Sequence, residues 1–139
     1  MIVLDTNIVS ETLRREPSPV VLDWLDAQAQ DTLYLSAITC GELRFGVETL
    51  AAGARRDRLR SIIDAILELY EGRILAYDAR AAIHYGRIAA RARTAGRPLP
   101  VADGLIAATA AAHGYAVATR NDADFAAAGI EIINPWRVS

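Results

Sequence analysis

The chain has 139 residues, 53% of them hydrophobic, and a net charge of −2. That length holds one domain, expected to run over residues 1–139, and the apolar fraction excludes a disordered chain. The charge excludes an overall basic field for nucleic acid, and a single cysteine, Cys40, excludes an internal disulfide.

Short apolar runs alternate with helical patterns along the chain, which is the signature of βαβ units and a parallel sheet. The first run, Ile2–Leu4, stops on Asp5. A helix is expected over Ile8–Arg15, and Pro17-Ser18-Pro19 separates it from a second over Val20–Gln28. In the second, Trp24 sits at helical spacing with Val21 and Leu25 and reads as core. A strand near Leu33–Leu35 leads into a helix over Thr39–Ala52, and another helix is expected over Asp57–Glu71. Gly72 then precedes a strand near Ile74–Ala76. A helix over Ala79–Thr94 ends before Gly96-Arg97-Pro98-Leu99-Pro100, an extended approach to the helix Ala102–His113. Gly114 stands at the C-cap position. Strands near Ala116–Ala118 and Ile130–Ile133 follow, with a short helical turn at Ala123–Ala127 between them. The expected class is α/β: an open parallel sheet of about five strands flanked by helices.

In such sheets ligands bind beyond the carboxyl ends of the strands, at the switch point of strand order. Four acidic points fall at that edge: Asp5, Glu42, Asp103 and the Asp122/Asp124 pair. Each also has a structural reading. Asp5 fits a helix N-cap, a role Asn7 could share. Thr39-Cys40-Gly41-Glu42 fits a capping box. Asp103 suits the positive end of a helix dipole. Gly104 beside it lowers helix stability by about 1 kcal/mol relative to Ala and reads as open space next to the carboxylate. Asn121 or Asp122 suits the cap of the short helix. Carboxylates gathered at one edge repel one another, and a bound cation relieves that. Oxygen-only ligands select Mg²⁺ or Mn²⁺ over zinc, and Cys40, His84 and His113 lack zinc-site spacing. With no Cys or His nucleophile implied, activated water attacking a phosphodiester is the expected chemistry.

Several stretches resemble the PIN-domain family. They are Leu4-Asp5-Thr6-Asn7, Leu35-Ser36-Ala37-Ile38-Thr39 with Gly41-Glu42-Leu43-Arg44-Phe45-Gly46, Ala102-Asp103-Gly104-Leu105-Ile106-Ala107-Ala108-Thr109-Ala110, Ala118-Thr119-Arg120-Asn121 and Asn134-Pro135-Trp136. The resemblance is to VapC-type toxins of type II toxin–antitoxin pairs, in their FitB-like branch. It implies a PIN fold of about five parallel strands and RNA cleavage dependent on Mg²⁺, with Mn²⁺ as substitute. It also implies Asp5, Glu42 and Asp103 as the metal-binding catalytic acids. The family's fourth acid falls near Asn121, which can serve through water or be replaced by Asp122 or Asp124. Thr6 and Thr119 are implied to orient ligands or water. The implied partners are a VapB/FitA-like antitoxin, whose basic tail residue covers the pocket, and a second copy of the chain. DNA is then contacted only through the antitoxin.

Cationic contacts for RNA are offered by Arg80, Arg87 and Arg91, which share one helix face with His84 between them. The plainer reading is a solvated face. The run Arg55-Arg56-Asp57-Arg58-Leu59-Arg60 reads as a solvated helix start or partner surface. No basic n-region precedes Asp5 and no apolar run is long enough to span a bilayer, so a cytoplasmic protein is expected. Other readings of an acid at a strand end fit less well. A haloacid-dehalogenase phosphatase wants a second Asp where Asn7 stands, and a receiver domain wants a Lys, of which there is none. A catalytically inert PIN-fold interaction module is the alternative function.

Overall fold

The computed structural model describes residues 1–137. Five strands, β1 (Ile2–Leu4), β2 (Leu33–Ser36), β3 (Ile74–Leu75), β4 (Ala116–Ala118) and β5 (Ile132–Ile133), form one sheet in the order β3-β2-β1-β4-β5. Every pairing is parallel. The chain leaves β1 toward β2 on one side and returns to β4 on the other. The switch point therefore lies at the carboxyl end of β1, the central strand, where Asp5 stands.

Seven α-helices flank the sheet: α1 (Thr6–Thr12), α2 (Pro19–Asp26), α3 (Ala37–Glu48), α4 (Ala54–Leu69), α5 (Ala79–Thr94), α6 (Val101–His113) and α7 (Asp122–Phe125). Strand alternation divides the core between the two faces. Val3 and Val117 point to one face and pack with Ile88 of α5, Ile106, Ala107 and Ala110 of α6, and Phe125. Leu4, Leu33, Leu35 and Ala118 belong to the other, with Ile8 of α1, Leu43 and Val47 of α3, and Ile63 of α4. Trp24 packs against this second cluster, as its spacing suggests.

Some boundaries differ from those the sequence suggests. The third helix begins at Ala37 and ends at Glu48, because β2 runs into Ser36 and the Ser36 hydroxyl accepts the Thr39 N–H at 3.2 Å. Ser36 is the N-cap. The capping box built on Thr39 does not form: Thr39 is already buried in the first turn, and Glu42 turns outward. Likewise Asp5, not Asn7, is the cap of α1. The last strand is shorter than the run Ile130–Ile133, since Gly129 adopts a left-handed φ of +74° and the pairing starts at Ile132.

The helix α6 is buried nearly all round, with Ile106, Ala107, Ala108, Thr109 and Ala110 sealed from solvent. Its small residues let α5 come close. Gly104 is one of them, and its role is not the one its position suggested. A Cβ there would stand 2.9 Å from Tyr85 Cε1 of α5, so the missing side chain makes room for a tyrosine ring and not for a ligand. Gly104→Ala is therefore expected to destabilise the protein by about 1–3 kcal/mol through overpacking. In a Tyr85→Ala background the same change is expected to stabilise by about 1 kcal/mol, the ordinary helix gain of Ala over Gly. A double-mutant cycle of urea denaturation measures the coupling; independent effects of the two changes would refute the contact.

Candidate functional site

Asp5 is 3% exposed and sits between β1 and α1. Its Oδ1 accepts the Thr6 N–H at 2.8 Å. Its Oδ2 accepts the Thr119 hydroxyl at 2.7 Å and the Asn7 amide at 3.2 Å. Thr119 follows β4 and is fully buried, so two neighbouring strands are tied together beyond their last paired residues. Asn7 reaches the same loop again, where its Oδ1 accepts the Arg120 N–H at 3.2 Å. The Thr119 hydroxyl oxygen in turn accepts the Asn121 N–H at 3.0 Å.

A second set of bonds holds Glu42. Thr6 Oγ1 donates to Glu42 Oε1 at 2.5 Å and lies 3.0 Å from the Thr39 hydroxyl, which is close to Ser36 Oγ. The apparent capping box is thus replaced by a hydroxyl chain from the β2–α3 junction to the β1–α1 junction. Asp103 enters from the first turn of α6, as the sequence suggests. Asp5, Thr6, Asn7, Ser10, Glu42, Asp103 and Asn121 line one cleft of about 290 Å³.

The candidates for the fourth position lie in different places. Asn121 lines the cleft. Asp122 does not: it turns away, with Oδ1 accepting the Ala123 N–H and Oδ2 the Arg137 guanidinium at 3.1 Å. Asp124 is exposed and outside the lining, yet its charge reaches Asp103. Ser10, Ser36 and Asn7 are additions to the site that the sequence reading gave no such role. Ser36 was recognisable as the first polar residue after the apolar run of β2, the usual N-cap position. Nothing local marks Asn7 or Ser10.

Electrostatically the cleft is under tension. Desolvation raises the Asp5 pKa, against the Thr119 hydroxyl and the Thr6 N–H, which favour its charge; the Glu42 carboxylate adds to the rise. Asp103 is pushed up to about 6, first by desolvation and then by the charges of Asp5, Asp124 and Glu42. The donors are oxygens only, which suits a hard cation. Among the described residues no three acidic, His or Cys side chains stand close enough together to cage an ion by themselves.

Asp103 gives this tension a measurable sign. In cation-free protein the folded state binds its proton more tightly than the unfolded chain does. The stability from that proton is full below the ordinary value of 3.8 and is lost as pH rises through about 6. Asp103→Asn is therefore expected to melt above the parent at about pH 8, with the gap closing toward about pH 4. Thermal melts in EDTA test this, and a variant less stable than the parent at the higher pH would contradict it.

With the geometry established, comparison with known proteins places the chain. The PIN domain family model matches residues 2–131. The VapC ribonuclease Y4jK of Sinorhizobium fredii is 50% identical over 137 residues, covering 98% of each chain. Toxin FitB of Neisseria gonorrhoeae is 45% identical over 137 residues, covering 98% of this chain and 99% of the relative. The structure of FitAB bound to an IR36 DNA fragment contains a chain that matches with a TM-score of 0.96 at 44% identity, covering 100% of this chain and 98% of that one. The chain belongs to the PIN-domain family and, within it, to the VapC/FitB group.

Proposed function

We propose that this protein is the toxin of a type II toxin–antitoxin pair, a Mg²⁺-dependent endoribonuclease that hydrolyses RNA phosphodiester bonds in the cytoplasm, with Mn²⁺ able to replace Mg²⁺. The observation that carries this reading is the convergence of Asp5, Glu42 and Asp103, from three separate elements, on one cleft at the switch point of a parallel sheet. The relatives named VapC ribonuclease and toxin FitB, and the solved FitAB complex, support it.

Asp5, Glu42 and Asp103 would hold the cation, with Asn121 at the fourth position of the same cleft. When bound, the ion supplies charge to the scissile phosphate and activates water for in-line attack. The protein's own residues set the geometry. Thr119, Asn7 and the Thr6 N–H fix the Asp5 carboxylate with three donors, so its orientation does not depend on the ligand. Thr6 does the same for Glu42. Among the described residues Asp103 has no such hydrogen-bond support, and burial with neighbouring acids raises its pKa. A cognate antitoxin of the VapB/FitA type would silence the site by presenting an Arg guanidinium to the carboxylates. DNA is then contacted through the antitoxin, and a homodimer is the proposed form of the toxin.

Freed of antitoxin, the protein is expected to cleave RNA with Mg²⁺ or Mn²⁺ and to stop in EDTA. Asp5→Asn and Asp103→Asn are expected to fall to background while keeping the parent's circular dichroism spectrum. Thr119→Val, which removes only a hydroxyl behind Asp5, is expected to lose about 10–100-fold in activity. Parent-like cleavage by both Asn variants would overturn the proposal. A folded parent that neither cleaves RNA nor binds Mn²⁺ in calorimetry would instead support an inert interaction module.

A further inference from the structure

The cleft poses a problem for a polyanionic substrate, because every charged group lining it is an acid. RNA binding needs cations elsewhere. Several of the chain's 15 arginines are already engaged. Arg14 pairs with Glu11, Arg44 with Glu48 and Asp64, Arg60 with Glu48 and Asp57, and Arg137 with Asp122. Arg73 is spent on the carbonyls of Gln30, Leu33 and Leu69.

The helix α5 is different. It carries Arg80, Arg87, Arg91 and Arg93 and contains no acid at all. Among the described residues none of these four makes an ion pair. By contrast α4, equally rich in arginine, interleaves them with Asp57, Asp64 and Glu68. The charge on α5 is therefore concentrated, and part of it faces a concavity. His84, Arg87 and Arg91 line a cavity of about 470 Å³ whose other walls are the segments just before β4 and β5, including Tyr115 and Ile130. These segments lie at the amino edge of the sheet, and no residue is shared with the acidic cleft at the carboxyl edge. Arg91 lies against Gly129, where a Cβ would stand 2.3 Å from its Nη1. Among the described residues its one acceptor is the Ala128 carbonyl at 3.5 Å, which leaves most of its donors open to a ligand. Glu131 lines the same cavity and pairs with neither arginine.

We infer that this cavity, with the arginine face of α5, is a docking site for the phosphate backbone of single-stranded RNA, separate from the cleavage cleft. Arginine forks match phosphate oxygens with paired donors. Tyr115, half-buried and packed against Tyr34 and His113, forms part of the cavity wall beside them. The inference rests on RNA being the substrate proposed above, and it divides the work between two surfaces: arginines that hold the strand and acids that cut it.

The test is binding of a fluorescent single-stranded RNA of about 12 nucleotides, read by anisotropy in EDTA across a salt series. The variant Arg87→Ala/Arg91→Ala is expected to bind about tenfold more weakly than the parent and to lower the salt slope by about 1–2. Arg87→Lys/Arg91→Lys is expected to keep the slope, since each charge is retained. Unchanged affinity and slope in the Ala variant, or a parent that does not bind RNA, would overturn the inference. So would parent-like RNA binding together with lost self-association or lost antitoxin capture, because the face then serves a protein. If the Ala pair does not fold, Arg87→Glu, an exposed and unpaired position, reads the same effect. Because binding is measured without cation, a parent that binds RNA through this face yet never cleaves it sinks the nuclease reading alone. A parent that cleaves RNA while the Ala pair binds it normally sinks the docking site alone.

Discussion

Burying the Asp5 carboxylate at the tip of the central strand costs solvation, and much of the surrounding structure answers that cost. Three donors reach it, from Thr6, Thr119 and Asn7. Hydrogen bonds to a charged acceptor contribute about 1.5–3 kcal/mol each, so they offset much of the penalty. They do not remove it, since burial still holds the Asp5 pKa above the ordinary carboxylate range. The same bonds have a second consequence. Thr119 belongs to the loop after β4 and Thr6 and Asn7 to the first turn of α1, so satisfying one carboxylate closes the two sides of the switch point together. A residue that looks costly by itself is also the clasp of the sheet's carboxyl edge.

The remaining acids are held in place by different means. Glu42 is exposed and is steered by a hydroxyl chain through Thr6 and Thr39. Asp103 receives no hydrogen bond comparable to those on Asp5; packing places it. Its helix is wedged between the sheet and α5, and Gly104 meets Tyr85 one residue beyond the carboxylate. The helix cannot slide without losing that contact, so the position of Asp103 is fixed by the fit of a neighbouring ring. Desolvation at that fixed position raises its pKa first, and repulsion from Asp5, Asp124 and Glu42, from which it cannot retreat, adds to the rise.

Much of this was legible in the sequence, and the failures have a common cause. The alternation of apolar runs and helical stretches gave the class and all five strands, since those signals are local. Strand order was not legible, because crossover rules leave it open; the pairings of β1 with β2 and β4 are what put that strand at the centre. The misreadings arose where one local pattern had two physical uses. Thr39-Cys40-Gly41-Glu42 has the spacing of a capping box, but Ser36 had already taken the cap, and both Thr39 and Glu42 were free for contacts with Thr6, more than thirty positions away in the chain. Gly104 reads as space beside an acid, but the space was needed on the opposite side for Tyr85. Asp122 and Asn121 are neighbours in sequence and equivalent as caps. The Ala123 N–H and the Arg137 guanidinium, the latter set by the path of the chain after β5, hold Asp122 away from the cleft, while Asn121 lines it.

The same long-range logic governs the distribution of charge. A net charge of −2 conceals a chain that is acidic at the carboxyl edge of its sheet and basic along α5. These surfaces cannot be merged. Arginines within reach of Asp5 or Asp103 would neutralise the carboxylates and compete with a cation for them, which is the means by which a basic antitoxin side chain would silence the site. An enzyme that must attract a polyanion while keeping its own acids free has to separate the two tasks in space. The acid-free composition of α5, with Arg87 and Arg91 lining a cavity at the edge of the sheet remote from Asp5, provides that separation.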